Sequence, residues 1–139
     1  EESGGIAVKG HTPERDGIWC GLLLLEFMAK TGKNLNQLID EVYQITGSFV
    51  FDRVDLHITD ALKNTIMDIC ARDGFTQFGN YTVQRVEKLD GFKFHLSDNS
   101  WVMIRASGTE PLLRVYSESP NRTETDTILE TVKQVLLAQ

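Results

Sequence analysis

Apolar positions along this chain follow two different patterns. From Ile18 to Lys30 nearly every residue is apolar: Ile18, Trp19, Leu22 to Leu25, Phe27, Met28 and Ala29. A surface helix carries a polar face, so an almost uniformly apolar one is expected in the middle of a larger α/β domain, where it needs a cover. Thr31-Gly-Lys supplies a stop, and Asn34 caps a second helix with Leu38, Ile39, Val42 and Ile45 on one side. The stretch up to Thr46 therefore reads as the tail of an α/β domain whose sheet lies elsewhere.

Beyond Gly47 the pattern changes. Val50 to Ile58 is rich in β-formers and reads as a strand or an extended linker, and Thr59 caps a helix with Leu62, Ile66 and Ile69 on one face, closed by Gly74. Strands are predicted over Tyr81 to Leu89, Phe92 to Leu96 and Trp101 to Arg105, with Asp90-Gly91 as a hairpin turn and Ser97-Asp-Asn-Ser as the next. In the second of these, Phe92, Phe94 and Leu96 alternate with Lys93 and His95. A fourth strand runs from Leu112 to Ser117. A final helix starts near Thr123, where Thr123 and Asp126 resemble a capping box, and buries Ile128, Val132, Val135 and Leu136. Four strands and two helices predict an α+β domain of two layers, an antiparallel sheet covered on one face. The expected division is 1–46 and 47–139.

The chain has 139 residues, 41% of them hydrophobic and 24% charged, a globular composition large enough for one core or a core plus an appendage. No apolar run approaches the roughly 20 residues that span a bilayer, and no secretory leader is visible, so the expectation is a cytoplasmic protein that does not engage a membrane. Lys and Arg number 14 against 20 Asp and Glu, for a net charge of −6, which disfavours nucleic acid as a partner. Cys20 and Cys70 lie in apolar helical context without metal-ligand spacing and read as reduced thiols. His57 and His95 fall on polar-facing strand positions, where exposure to solvent is the expectation.

The candidate chemistry lies between the last two predicted strands, in Arg105-Ala-Ser-Gly-Thr-Glu-Pro-Leu-Leu-Arg114. Such a sequence is ordinary turn chemistry, yet it also gathers donors. Gly108 between two hydroxyl residues allows backbone N–H groups to line a concave anion site, and Arg105 and Arg114 add charge-assisted, fork-shaped donors suited to a phosphate. The opening Glu1-Glu-Ser-Gly-Gly sets carboxylates and a hydroxyl beside glycines, a combination able to hydrogen-bond vicinal sugar hydroxyls.

These two motifs, in this order, resemble those of the alpha-D-phosphohexomutases, the phosphoglucomutase and phosphomannomutase family. The Arg105 motif with Arg114-Val-Tyr is similar to the phosphate-binding loop of that family's last domain, and Glu1-Glu-Ser-Gly-Gly to its sugar-binding loop. The resemblance implies a TATA-binding-protein-like fold for the C-terminal domain, sugar contacts from Glu1 and Ser3, and phosphate contacts from Arg105, Ser107, Gly108, Thr109 and Arg114. Some family members carry a histidine where this chain has Gly5; His11 is a possible substitute, and Arg15 stands near positions expected to face the phosphosugar.

The family moves a phosphoryl group between two oxygens of one hexose through a phosphoserine and a hexose 1,6-bisphosphate, with Mg2+ as cofactor. Neither a serine motif of the form Thr-Ala-Ser-His-Asn-Pro nor an aspartate-rich metal loop of the form Asp-Gly-Asp-x-Asp-Arg occurs in this sequence. The expectation is a C-terminal fragment without catalytic or metal-ligating residues of its own, inactive alone, whose partners are a phosphorylated sugar and the upstream domains of the same protein. Phosphoglucosamine or phosphopentose mutase is the alternative within the family. A stand-alone phosphate-binding module is the alternative outside it, and the apolar helix at Ile18 to Lys30 counts against that one.

Overall fold

A computed structural model of the chain describes residues 5–97, 99–108 and 110–139. The chain divides into two compact units, Glu1–Ser48 and Phe49–Gln139.

The first unit holds two helices, α1 (Gly17–Thr31) and α2 (Leu35–Thr46). Asp16 caps α1 by accepting from the Trp19 N–H, and Gly32, in the left-handed region at φ 68°, closes it by donating to the Met28 carbonyl. Asn34 and Gln37 form a reciprocal capping box on α2. Every residue of α1 retains some exposure, and Ile18 is 82% exposed. In α2 only Leu38 of the predicted face is buried, while Ile45 is 86% exposed.

In the second unit the α+β expectation holds, with a larger sheet. Six strands are described: β1 (Val50–His57), β2 (Gln77–Phe78), β3 (Tyr81–Glu87), β4 (Phe92–Leu96), β5 (Trp101–Ala106) and β6 (Leu112–Ser119), in the order β1-β6-β5-β4-β3-β2 with antiparallel pairing. The two strands beyond the predicted four are β1, whose β-former run the sequence left open between strand and linker, and β2, too short to show a period. β3 ends at Glu87, earlier than predicted, because Leu89 turns fully outward before the Asp90-Gly91 bend.

Two helices, α3 (Asp60–Ala71) and α4 (Arg122–Leu137), pack on one face of the sheet. Thr59 caps α3 as expected. The cap of α4 is Asn121, which accepts from the Glu124 N–H, so the cap lies two residues before the expected Thr123 and the helix begins at Arg122. Ile66 and Cys70 of α3 and Ile128, Val132 and Leu136 of α4 meet Phe94, Val102, Ile104, Leu113 and Val115 from the strands in one core. Phe78 and Phe94 pack edge to face with ring centroids 5.2 Å apart, and Phe75 lies 5.2 Å from Phe78. Both cysteines are free thiols, Cys70 buried and Cys20 partly so. Among the described residues no helix is long and apolar enough to cross a membrane.

Strand alternation sends the remaining side chains to the opposite face. With Val102, Ile104 and Ala106 of β5 turned to the helices, Trp101, Met103 and Arg105 point away; with Leu113 and Val115 of β6 turned in, Arg114 and Tyr116 point away. The two arginines of the candidate loop therefore share one sheet face.

Candidate functional site

The loop between β5 and β6 is built on a tight antiparallel pair. Ala106 stands opposite Leu113 and Arg105 opposite Arg114 in the β5–β6 register, and the ladder closes with the Ser107 N–H donating to the Leu112 carbonyl at 2.9 Å. Directly opposed residues of a sheet have Cβ atoms about 5 Å apart, so both guanidinium groups leave the sheet at the foot of the loop. Like charges in that position repel, and the cost needs an offset.

Carboxylates flank the pair on both sides. Asp55 of β1 stands opposite Arg114 in the β1–β6 register, and Asp90 Oδ1 lies 3.5 Å from Arg105 Nε. Asp55 also meets the Arg53 guanidinium at 3.0 Å. Arg114 Nε is buried and has no hydrogen-bond partner among the described residues. Asp90 owes its place to Gly91, which adopts φ 90° and packs so closely that an added Cβ would sit 2.8 Å from the Ile104 carbonyl oxygen and 3.3 Å from Arg105 Cβ. Only glycine fits that bend.

Gly108 differs from Gly91. It stays out of the left-handed region, and a Cβ there would meet no atom within 4 Å among the described residues other than its chain neighbours, so neither the backbone angle nor internal crowding calls for glycine at this position. Ser107 is half-buried beside it. Thr109, the other hydroxyl assigned to the loop, lies outside the described residues, as do Glu1 and Ser3 of the opening motif.

The far limb of the loop is anchored. The Leu112 N–H donates to the Glu110 carbonyl at 2.8 Å, a turn of γ type around Pro111, and the Ile58 N–H reaches the Pro111 carbonyl at 3.4 Å. Lys63 Nζ donates to the same Glu110 carbonyl at 3.4 Å. Sequence reading missed Lys63, Asp55 and Asp90. Asp90-Gly91 read as turn chemistry alone, and Lys63 is separated from the loop by 47 positions that only the β1–β6 pairing closes.

In the first unit, His11 Nε2 sits 2.9 Å from Asp16 Oδ2 and its ring stacks on Trp19 with centroids 4.7 Å apart. The Trp19 N–H above all, and then the His11 side chain, hold the Asp16 carboxyl below the usual carboxylate range. One ring nitrogen of His11 is thus engaged at the start of α1. Arg15 lies over Gly5: a Cβ at Gly5 would fall 2.4 Å from Arg15 Cδ and 3.0 Å from Arg15 Nη1. A histidine at position 5 would displace Arg15.

His95, predicted to be solvated, is held on both sides. Its Nε2 lies 3.0 Å from Arg85 Nη2 and 3.1 Å from Glu87 Oε1, while His57 is exposed as expected. Among the described residues no three His, Cys, Asp or Glu side chains converge to hold a metal ion. These residues do not form a site for Mg2+.

Residues 49–139 thus form a small antiparallel sheet backed by two helices, with an arginine-framed loop between β5 and β6. Family comparison assigns the class. Residues 61–135 match the model for the phosphoglucomutase/phosphomannomutase C-terminal domain, and residues 1–45 match that family's alpha/beta/alpha domain III. The chain belongs to the alpha-D-phosphohexomutases, the phosphoglucomutase/phosphomannomutase family, and carries its domains III (in part) and IV.

Among curated relatives, a phosphoglucosamine mutase of Methanococcus maripaludis is 35% identical over 84% of this chain and 24% of its own length. A phosphoglucomutase/phosphomannomutase of Thermococcus kodakarensis is 29% identical over 94% of this chain and 26% of its own. A phosphoglucosamine mutase of Streptococcus mutans is 27% identical over 98% of this chain and 26% of its own. The chain thus spans about a quarter of the length of the relatives it matches.

Proposed function

We propose that this chain is the substrate-gripping C-terminal part of a phosphohexomutase, and that Arg105, Ser107, Gly108, Thr109 and Arg114 hold the phosphate of the sugar that is not reacting. One observation carries this reading: two arginines directly opposed across β5 and β6 at the mouth of a loop with open backbone at Gly108. A phosphate dianion placed over them offsets their repulsion and accepts from both. Remote binding energy of this kind positions the reacting end of the substrate. An arginine-and-backbone cradle reads the phosphate and not the ring, so it serves a substrate that turns over between two transfers.

Glu1 and Ser3 supply the sugar-hydroxyl contacts in this reading, Arg15 faces the phosphosugar, and His11 contributes through its remaining ring nitrogen. Phosphoryl transfer, the phosphoserine, the hexose 1,6-bisphosphate and Mg2+ belong to the rest of the parent protein, and the chain alone is inactive. That remainder also covers the exposed apolar residues of α1; the relatives' fourfold greater length supports this. Residues 1–46 are then the end of the sugar-binding domain and residues 47–139 the phosphate-binding domain, working in the cytoplasm.

A second reading changes only the sugar. Relatives from both Methanococcus and Streptococcus bear the name phosphoglucosamine mutase, which favours an amino sugar as the alternative to glucose or mannose. A coupled assay of the full-length protein on glucose, mannose and glucosamine phosphates separates the readings. Turnover of a hexose phosphate is expected, and no turnover of any of the three would overturn the assignment.

A further inference from the structure

We infer that Lys63 is a positioning residue for the phosphate loop, acting through the Glu110 carbonyl and not on the ligand itself. The inference rests on the phosphate reading of the Arg105 to Arg114 loop and assigns the part of the chain that holds that loop in shape.

Lys63 lies one turn into α3, and its side chain is only 17% exposed, low for a lysine without a buried carboxylate partner. Asp60, three residues earlier on the same helix, holds its ammonium at 2.8 Å but is itself 74% exposed, so the pair is anchored from the solvent side. The other partner of Nζ is the Glu110 carbonyl at 3.4 Å. Beside it, the Ile58 N–H takes the next carbonyl, that of Pro111, at 3.4 Å. Two consecutive carbonyls of the loop are therefore occupied by the corner where β1 passes into α3.

The electrostatic consequence concerns the ligand. Every carbonyl oxygen of an anion-binding loop is a negative partial charge that repels a phosphate, and a free one near the seat weakens it. With Glu110 O shared between the Leu112 N–H and a lysine ammonium, and Pro111 O held by Ile58, those charges are neutralised. The limb is fixed as well, since Pro111 has no N–H and cannot contribute a donor of its own. Lys63, its charge shared with Asp60, thus holds the loop from behind its backbone, where Arg105 and Arg114 stand in front.

Titration with inorganic phosphate, followed by the rise in unfolding temperature, tests this on the chain as it is. Lys63→Met is expected to weaken phosphate binding several-fold and, because the same contact is lost from the phosphate-free chain, to lower its unfolding temperature modestly as well. Lys63→Arg is expected to restore binding, because a guanidinium reaches the same carbonyl. Should Lys63→Met fail to fold, Lys63→Gln keeps a donor, removes the charge and gives the same comparison. Unchanged phosphate binding in the Met or Gln variant, with binding lost in Arg114→Ala, overturns the role of Lys63 and leaves the phosphate seat standing. No saturable phosphate effect on the unsubstituted chain overturns both.

Discussion

Arg105 and Arg114 face each other directly across the β5–β6 ladder, a like-charge pair on the sheet face turned away from α3 and α4. Such a pair costs stability when nothing lies over it, by about 0.2–1 kcal/mol. Replacing either arginine by alanine should therefore destabilise the phosphate-free chain little or even raise its unfolding temperature, while abolishing stabilisation by phosphate. Thermal unfolding of both variants with and without phosphate measures the two effects separately. Equal phosphate protection in all three proteins would remove the basis of the seat.

Gly91 underlies the placement of Arg105. At φ 90°, with 2.8 Å to the Ile104 carbonyl oxygen awaiting any Cβ, Gly91→Ala is expected to cost about 1–3 kcal/mol and to weaken phosphate binding through the displaced neighbour. Gly108→Ala is the matching control: it should leave stability nearly unchanged and affect phosphate alone. Urea unfolding and phosphate titration of the pair give the comparison.

Acid sensitivity should depend on Asp52. Its carboxyl is held below the ordinary range by the Arg53 N–H first and by the Arg122 guanidinium second. A group whose acidity increases on folding contributes stability above its unfolded pKa and loses it as pH falls through the folded value. Asp52→Asn should lower the unfolding temperature near neutral pH, and the gap from the unsubstituted chain should close in acid.

The two thiols should differ sharply. Burial pushes Cys70 up to about 12, so it stays protonated and shielded at neutral pH. A thiol-alkylating reagent is expected to modify Cys20 in the folded chain and Cys70 only on unfolding, as mass spectrometry of labelled peptides will reveal.

Core packing around Phe94 is also testable. It is fully buried and touches Phe75 and Phe78 ring to ring, so Phe94→Ala should cost about 3–5 kcal/mol.

Periodicity carried most of this architecture. Phe92, Phe94 and Leu96 announce β4, Asn34 and Thr59 announce their helices, and the arginine-framed loop is visible as a cluster of donors between two predicted strands. What escaped depends on contacts between distant positions. β2 is two residues long and exists because β3 is beside it. Asn121 outcompetes Thr123 as a cap because Ser119 and Thr125, buried and 2.7 Å apart, fix the chain just where α4 begins. Lys63 and Asp55 join the loop only through strand pairing, and no local pattern could have announced that.

β1, made first within its unit, pairs along its whole length with β6, and Thr125 Oγ1 of α4 donates to the Val50 carbonyl at 2.9 Å. A ribosome-bound chain cannot complete this sheet until Leu112 to Ser119 has emerged, since β6 is the strand that joins β1 to the rest. Arg114 sits on that late-arriving strand. Arg105 and Arg114 consequently meet only once β6 has left the ribosome, when α4 is the one described element of the unit still to be made.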